Sequence, residues 1–463
     1  MKTKIGFYGD DFTGASDNAA QYHRHGLRTI LFFARPGDAA LRQAAEEYDV
    51  IGVAGTARSA RRADMAAEVL PVLHSLRQLP LRVVQYKCCS TLDSTSETGS
   101  LGEAARLMRS VWPGSFVPVL GAAPEFGRYT LFGNHFARAR DVIYRLDRHP
   151  TMSRHPVTPM HEADIRRLFE EQGFPIERLV DLPELDAAQS DPAAHATTLG
   201  AQHDAAVYDS YSVQQLTTAA GSIWEISATR PVTAVAAQGF AFGLGNYLKQ
   251  QASANRESRP EPADTTQHLP AADRILVVSG SCSPQSAAQI DWAEQNGFHC
   301  IRVAPHIALT PDDAAHAAQL AAVREQSIVA LNQGRSVLIY TARDLDDPAI
   351  AQTREVLDQL KLGNVELADR VGKFYADLIR AAIAATGLHR IVVAGGDSSS
   401  FTMRHLRATA LTVQASHFIQ NAHICRILAD DAQVDGIEVL LKGGQVGTDD
   451  LYGIVRDGFT LKG

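Results

Sequence analysis

Short, almost uninterrupted apolar runs, separated by Ala- and Arg-rich helical stretches, restrict the fold of this chain more than any other feature. In the first half they read IGFYG, RTILFF, DVIGVAG, RVVQYK, FVPVLGAA and AAVYDS; in the second, RILVVSG, FHCIRV, RSVLIYTA and RIVVAGG. A strand without polar alternation is covered on both faces, and intervening helices supply the cover. The pattern predicts an α/β chain with largely parallel sheets and flanking helices. No fixed-period repeat is visible, and helix propensity alone explains the Ala-rich DAAHAAQLAAV.

One segment breaks the alternation. Gln251 to Asp273 (QASANRESRPEPADTTQHLPAAD) has Pro260, Pro262 and Pro270 among polar residues and almost no large apolar side chain. Such a stretch buries too little to join a core and reads as a connection. It divides the 463 residues into domains 1–250 and 274–463, each expected to carry its own parallel sheet.

Charge and cysteine content exclude several classes. With 44 Lys+Arg against 52 Asp+Glu the net charge is −8, which disfavours a nucleic-acid partner but not a local cationic pocket for a small anion. Cys88, Cys89, Cys282, Cys300 and Cys425 are odd in number and form no CxxC pair. A disulfide framework or zinc site is not expected, and a reduced, cytoplasmic setting is. MKTKIGFYGDD does not read as a signal peptide, and polar residues interrupt Val232 to Leu248 before it reaches membrane-spanning length.

Polar residues that follow the strands carry the chemistry. IGFYGDDFTG runs from a buried strand into Asp10 and Asp11 and then a helix; paired carboxylates there serve as base, metal ligand or hydroxyl acceptor, while a plain helix cap is the simpler alternative. In VAGTARS, Arg58 follows a strand end and suits a carboxylate clamp. Lys87 closes another strand, and the hydroxyl-rich loop CCSTLDSTSETG after it, with Asp93, suits an oxygen-rich ligand. GRYTLFGNHF, with Arg128 and His135, reads as a ligand-binding loop. In the second half, SGSCSP, GGDSSS and KGGQVG form three Gly/Ser turns after apolar strands, a pattern that cradles phosphates. No GxxxxGK[ST], strand-linked GxGxxG, HExxH or GxSxG motif occurs.

Taken in order, GDDFTGASD, TARS, YKCCSTLDST, GRYTLFGNHF, RHPVTPMHEAD, VSGSCSPQSAAQI, VAGGDSSS and LLKGGQVG resemble the motifs of the four-carbon acid sugar kinase family over nearly the whole chain. The resemblance implies an acid-sugar domain followed by a nucleotide domain. The reaction it implies is ATP- and Mg²⁺-dependent phosphorylation of the terminal hydroxyl of threonate, erythronate or a 3-oxo-tetronate. Asp10 and Asp11 would be catalytic. Thr13, Arg58, Lys87, Asp93, Arg128 and His135 would hold the acid sugar. Ser281, Ser283, Gly395, Gly396, Asp397, Ser398 and Gly444 would hold the nucleotide. Metal ligands and homo-oligomerisation are left open, as are two alternatives: a kinase for another sugar or polyol, and a non-catalytic nucleotide- or metabolite-binding regulator. The sequence departs from the family pattern at Asp397-Ser398, at Gly443-Gly444-Gln445-Val446-Gly447 and near Glu97 to Ser100.

Overall fold

The structure is a computed structural model that describes residues 4–155, 157–254, 268–310, 313–344, 346–419 and 422–460. The chain forms two compact units, Met1–Ala263 and Asp264–Gly463. Of the expected connection, Gln251 to Ala254 close the helix Gln238–Ala254, and 255–267 lie outside the described residues.

The first unit is built on parallel strands β1 (Ile5–Gly9), β2 (Thr29–Phe32), β3 (Val50–Ala54), β4 (Val83–Lys87) and β5 (Val117–Leu120). A separate antiparallel sheet follows, made of β6 (Arg128–Leu131), β7 (Asn134–Ala139) and β8 (Val142–Arg145). Then β9 (Leu179–Val180), β10 (Ala205–Tyr208) and β11 (Val232–Ala236) complete the parallel sheet. Its order is β2-β3-β1-β4-β11-β5-β10-β9, every pair parallel. All residues of β1, β3, β4 and β11 are buried, as uninterrupted apolar strands require.

The segment expected to be a ligand loop, GRYTLFGNHF, is instead the β6–β7 hairpin. Phe132 (φ 50°) and Gly133 (φ 81°) form its two-residue turn, the left-handed geometry that matches strand twist. The reading from sequence weighed the glycines as loop markers and passed over the alternation beside them.

In the second unit, β12 (His268–Leu269) is followed by β13 (Leu276–Ser279), β14 (His299–Arg302), β15 (Val337–Tyr340) and β16 (Arg390–Ala394). The long hairpin β17 (Ala408–Ile419) and β18 (Ala422–Ala429) comes next, then β19 (Glu438–Lys442) and β20 (Phe459–Thr460), which pairs with β12. The sheet order is β14-β15-β13-β16-β19-β18-β17, parallel through β19 and antiparallel beyond it. Its core gathers Ile275, Val277, Ile290, Leu338, Val392, Ile424, Leu440, Tyr452 and Val455.

Both units open with the same arrangement: the third strand lies between the second and the first, and the fourth on the first strand's other side. Chain direction across the sheet reverses beside the first strand. In open α/β sheets that reversal leaves a crevice beyond the carboxyl ends of the strands, where ligands bind.

Candidate active site

In the first unit that crevice lies at the ends of β1 and β4, with β3 alongside. The Asp10 N–H donates to the Lys87 carbonyl (3.0 Å), the Gly55 N–H to the Gly9 carbonyl (2.8 Å) and the Arg58 N–H to the Asp10 carbonyl (3.1 Å). Three strand ends are thus drawn into one cluster, and Arg58 is its hub. Its Nη2 donates to Asp10 Oδ1 at 2.8 Å and Asp11 Oδ1 at 2.7 Å, and its Nε to Asp10 Oδ2 at 3.3 Å. Asp11 also caps the helix Phe12–His23, accepting from the Gly14 N–H at 3.1 Å.

The two carboxyls differ in environment. Asp10 is 2% exposed, and burial raises its pKa against the pull of Arg58. At Asp11 burial also pushes upward, but Arg58, Lys87 and the Gly14 N–H outweigh it and the pKa is lowered. Asp11 Oδ2 takes part in none of the bonds above, and the side chain is 29% exposed.

Lys87, 2% exposed, reaches the same turn. A Cβ on residue 14 would stand 2.4 Å from Lys87 Nζ and 2.3 Å from Asp11 Oδ1, so only glycine lets the ammonium and the carboxylate crowd this point. One turn further along the helix, Asp17 is buried, accepts from Gln21 Nε2 at 3.0 Å and has its pKa raised to about 6 by burial. Thr13 stands half-buried in the helix's first turn.

The hydroxyl loop is tied to these residues from two sides. The Gly99 N–H donates to the Ala60 carbonyl (3.0 Å) and the Arg62 N–H to the Glu97 carbonyl (2.7 Å). Within the loop, Asp93 accepts from the Thr91 hydroxyl. His135 is fully buried; its Nε2 meets the Ser90 carbonyl at 2.8 Å and its Nδ1 the Thr130 hydroxyl at 3.0 Å. Burial lowers its pKa to about 4, so it is a neutral pin between loop and hairpin, with both ring nitrogens occupied. Arg128 Nη1 donates to the Phe126 carbonyl at 2.8 Å, and its Nε is buried without a partner.

Reasoning from sequence missed the supports. Gln172 is 1% exposed; its Nε2 donates to the Ser94 hydroxyl (2.9 Å), and its Oε1 accepts from the Gly102 N–H (3.0 Å). Glu68 accepts from the Tyr8 hydroxyl (2.7 Å) and from the N–H and hydroxyl of Thr56, which fixes the turn before Arg58. Neither residue has a sequence neighbour that marks it. Asp17 does: it lies three residues after Gly14, on the helix face that Lys87 approaches.

In the second unit the turns after β13, β16 and β19 interlock. The Gly280 N–H donates to the Ala394 carbonyl and the Gly395 N–H to the Lys442 carbonyl, both at 2.9 Å. Ser283 caps the helix Pro284–Gln295, and its hydroxyl donates to the Gly444 carbonyl at 2.5 Å. The Ser286 hydroxyl donates to Ser281 Oγ at 2.9 Å. Gly395, at φ 112°, holds a backbone that L side chains rarely adopt and opens the helix Gly396–His405. A Cβ on Gly280 would overlap the Ser398 hydroxyl at 2.0 Å, and one on Gly444 would sit 2.8 Å from Ser281 Oγ. Ser281, Ser283, Gly395, Gly396, Ser398 and Gly444 thus belong to one turn cluster; the Asp397 side chain lies outside the described residues.

Among the described residues no group of three or more His, Cys, Asp or Glu side chains could hold a metal ion. No helix among them is long and apolar enough to cross a membrane.

Known proteins match both parts of the chain. Residues 5–244 fit the family model of a sugar-binding N-terminal domain, and residues 276–452 that of a nucleotide-binding C-terminal domain. A 3-oxo-isoapionate kinase of Paraburkholderia graminis is 37% identical over 98% of this chain and 94% of its own length. A 3-oxo-tetronate kinase of Cupriavidus necator is 30% identical over 89% of this chain and 88% of its own. In fold, the chain is similar to a solved Salmonella typhimurium protein (TM-score 0.75, 22% identity, 97% of this chain and 98% of that one). A Haemophilus influenzae protein is similar too (TM-score 0.72, 20% identity, 97% and 99%). The chain belongs to the four-carbon acid sugar kinase family and is a phosphotransferase with an alcohol group as acceptor.

Proposed function

We propose that this enzyme transfers the γ-phosphoryl group of ATP to the terminal hydroxyl of a four-carbon acid sugar; the similar kinases are named for 3-oxo acids, 3-oxo-tetronate and the branched 3-oxo-isoapionate. It would act in the cytoplasm, in acid-sugar breakdown. The observation that carries the reading is the Asp10–Asp11–Arg58–Lys87 cluster at the strand ends of the first unit. Lys87 offers a buried positive charge to the substrate carboxylate, and the hydroxyl loop offers partners to its oxygens. Arg128, with a buried unpartnered Nε, borders that loop through the His135 pin.

Asp11 is the proton acceptor in this reading. Asp10 spends both oxygens on Arg58 and is buried, whereas Asp11 is part-exposed and its neighbours hold the carboxyl ionised. As the acceptor oxygen bonds to phosphorus, its proton passes to the Asp11 carboxylate and the phosphorus–oxygen bond to ADP breaks. The triphosphate would lie on the Gly/Ser turns of the second unit. Mg²⁺ would arrive with it, held chiefly by phosphate oxygens and water, as this ion commonly is.

ATP-dependent turnover on D- and L-threonate, D- and L-erythronate, 3-oxo-tetronates and 3-oxo-isoapionate tests this, with Asp11→Asn as control. We expect turnover on at least one acid and a loss in kcat of about 10²–10⁴-fold in the variant. Turnover of neutral polyols only, or an unimpaired Asp11→Asn, would overturn the reading.

A further inference from the structure

Lys442, the last residue of β19, is fully buried beneath the Gly/Ser turns. Its Nζ donates to Ser286 Oγ at 3.2 Å, and Ser286 in turn donates to Ser281 Oγ. The Lys442 carbonyl holds the Gly395 N–H, so side chain and backbone of this one residue reach two of the three turns. The amino ends of the helices Pro284–Gln295 and Gly396–His405 open at the same place, and each carries partial positive charge. A buried ammonium beside two helix amino ends gathers positive charge at one place, and burying such a charge is costly unless an anion joins it.

Among the described side chains no carboxylate bonds the Lys442 ammonium; the side chain of Asp397, in the first turn of Gly396–His405, lies outside them. Around the cluster, Tyr375 donates to the Ser279 carbonyl, and burial keeps Tyr375 and Tyr452 protonated. Asp449, in the turn after β19, is engaged by Gln285 Nε2 at 2.9 Å, and Asp450 by the Thr448 hydroxyl at 2.6 Å. Glu438, at the opposite end of β19, pairs with Arg390 at 2.7 Å. Asp291 and Glu294, on the helix after β13, pair with Arg343. His423, on the neighbouring strand, is one residue from Ile424, which pairs with Leu440; alternation puts it on the sheet face opposite Lys442.

We infer that Lys442 makes nucleotide binding proton-linked: the phosphates that arrive over its buried amine draw a proton from solvent onto it. This rests on the reading that the second unit's turns hold the phosphates of ATP. Burial lowers the Lys442 pKa to about 8, and a neighbouring polyanion raises it again. The charge state also sets the hydroxyl chain. An ammonium only donates, so Ser286 must accept from it and pass its own proton on to Ser281. A neutral amine can accept instead, which frees Ser286 to turn. Lys442 is therefore a positioning residue that acts through Ser286 and Ser281.

Isothermal titration calorimetry of the full-length enzyme with ADP and with ATP, in buffers of differing ionisation enthalpy, counts the protons. We expect uptake of about half a proton per nucleotide near pH 8, almost none near pH 6.5, and up to a tenfold weaker binding per pH unit above 8. Lys442→Met should abolish the uptake and weaken binding. Lys442→Arg, a cation that does not titrate, should bind nucleotide without uptake. Nucleotide binding with no uptake in the wild type, or uptake that persists in both variants, overturns the role of Lys442 and leaves the nucleotide site standing. No nucleotide binding at any pH overturns the reading beneath it.

Discussion

Gly14 shows how much one missing side chain decides. Its backbone is ordinary helix, yet a methyl group there would collide with both Lys87 Nζ and Asp11 Oδ1. Gly14→Ala improves helix propensity by about 1 kcal/mol, so propensity alone predicts a neutral or stabilising change. We expect instead that kcat/KM for the acid sugar falls about a hundredfold, because displacement of catalytic groups by an ångström costs that much. Steady-state kinetics beside a thermal melt separate the two effects. The requirement for glycine was invisible in the sequence, where Gly14 read as part of a turn motif. What makes it necessary is the reach of a lysine from a strand more than seventy residues away. Asp10, Asp11, Arg58 and Lys87 were legible because each ends an apolar run or lies within four residues after a strand, and a parallel sheet gathers such ends at one edge.

At the scale of elements, the hydroxyl loop owes its shape to partners elsewhere in the chain. His135 on β7 holds the Ser90 carbonyl, and Gln172 holds the Ser94 hydroxyl. The sequence marked the loop by composition but not its supports, because a lone His or Gln has no local signature. His135 was expected to touch the ligand; its two occupied ring nitrogens assign it to the framework. The sign of its pH effect follows. The folded pKa of about 4 lies below the unfolded value of 6.5, so the unfolded chain binds more protons between them. Stability from this group is present above about pH 6.5 and is lost as pH falls toward 4, by about 1.4 kcal/mol per unit at most. In denaturant titrations, the stability advantage of the wild type over His135→Gln should therefore shrink across that interval. An advantage that stays constant with pH would mean that His135 is not buried in its neutral form. The hairpins β6–β7 and β17–β18 were missed altogether, since their mixed polar and apolar residues never form the uninterrupted runs that betray a covered strand.

For the whole molecule, each unit opens with the same strand order and sets its polar turns beside the first strand. The alternation of strands and helices made the α/β class and the parallel sheets readable. Strand order was not, because it depends on which helix covers which face. If the first unit holds the acid and the second the nucleotide, hydrogen exchange should separate them. An acid sugar is expected to slow exchange at the start of the helix Phe12–His23 and in the hydroxyl loop. ADP should slow it at the starts of the helices Pro284–Gln295 and Gly396–His405. Slowing by ADP alone at residues 10–14, with none in the second unit, would reverse the assignment.

Lys87 and Lys442 each close a buried strand, and both are shut away from water. Dissolved ions screen exposed charges within about 8 Å at physiological ionic strength, but they reach charges sealed under a sheet edge far less. If small anions bind at these two lysines, as proposed, added salt should weaken that binding less than it weakens contacts between exposed charges. The surface that carries the net charge of −8 repels large polyanions by forces that salt does weaken. On this reading, a preference for a small acid over a nucleic acid would divide between an interior that salt reaches little and an exterior that it reaches readily.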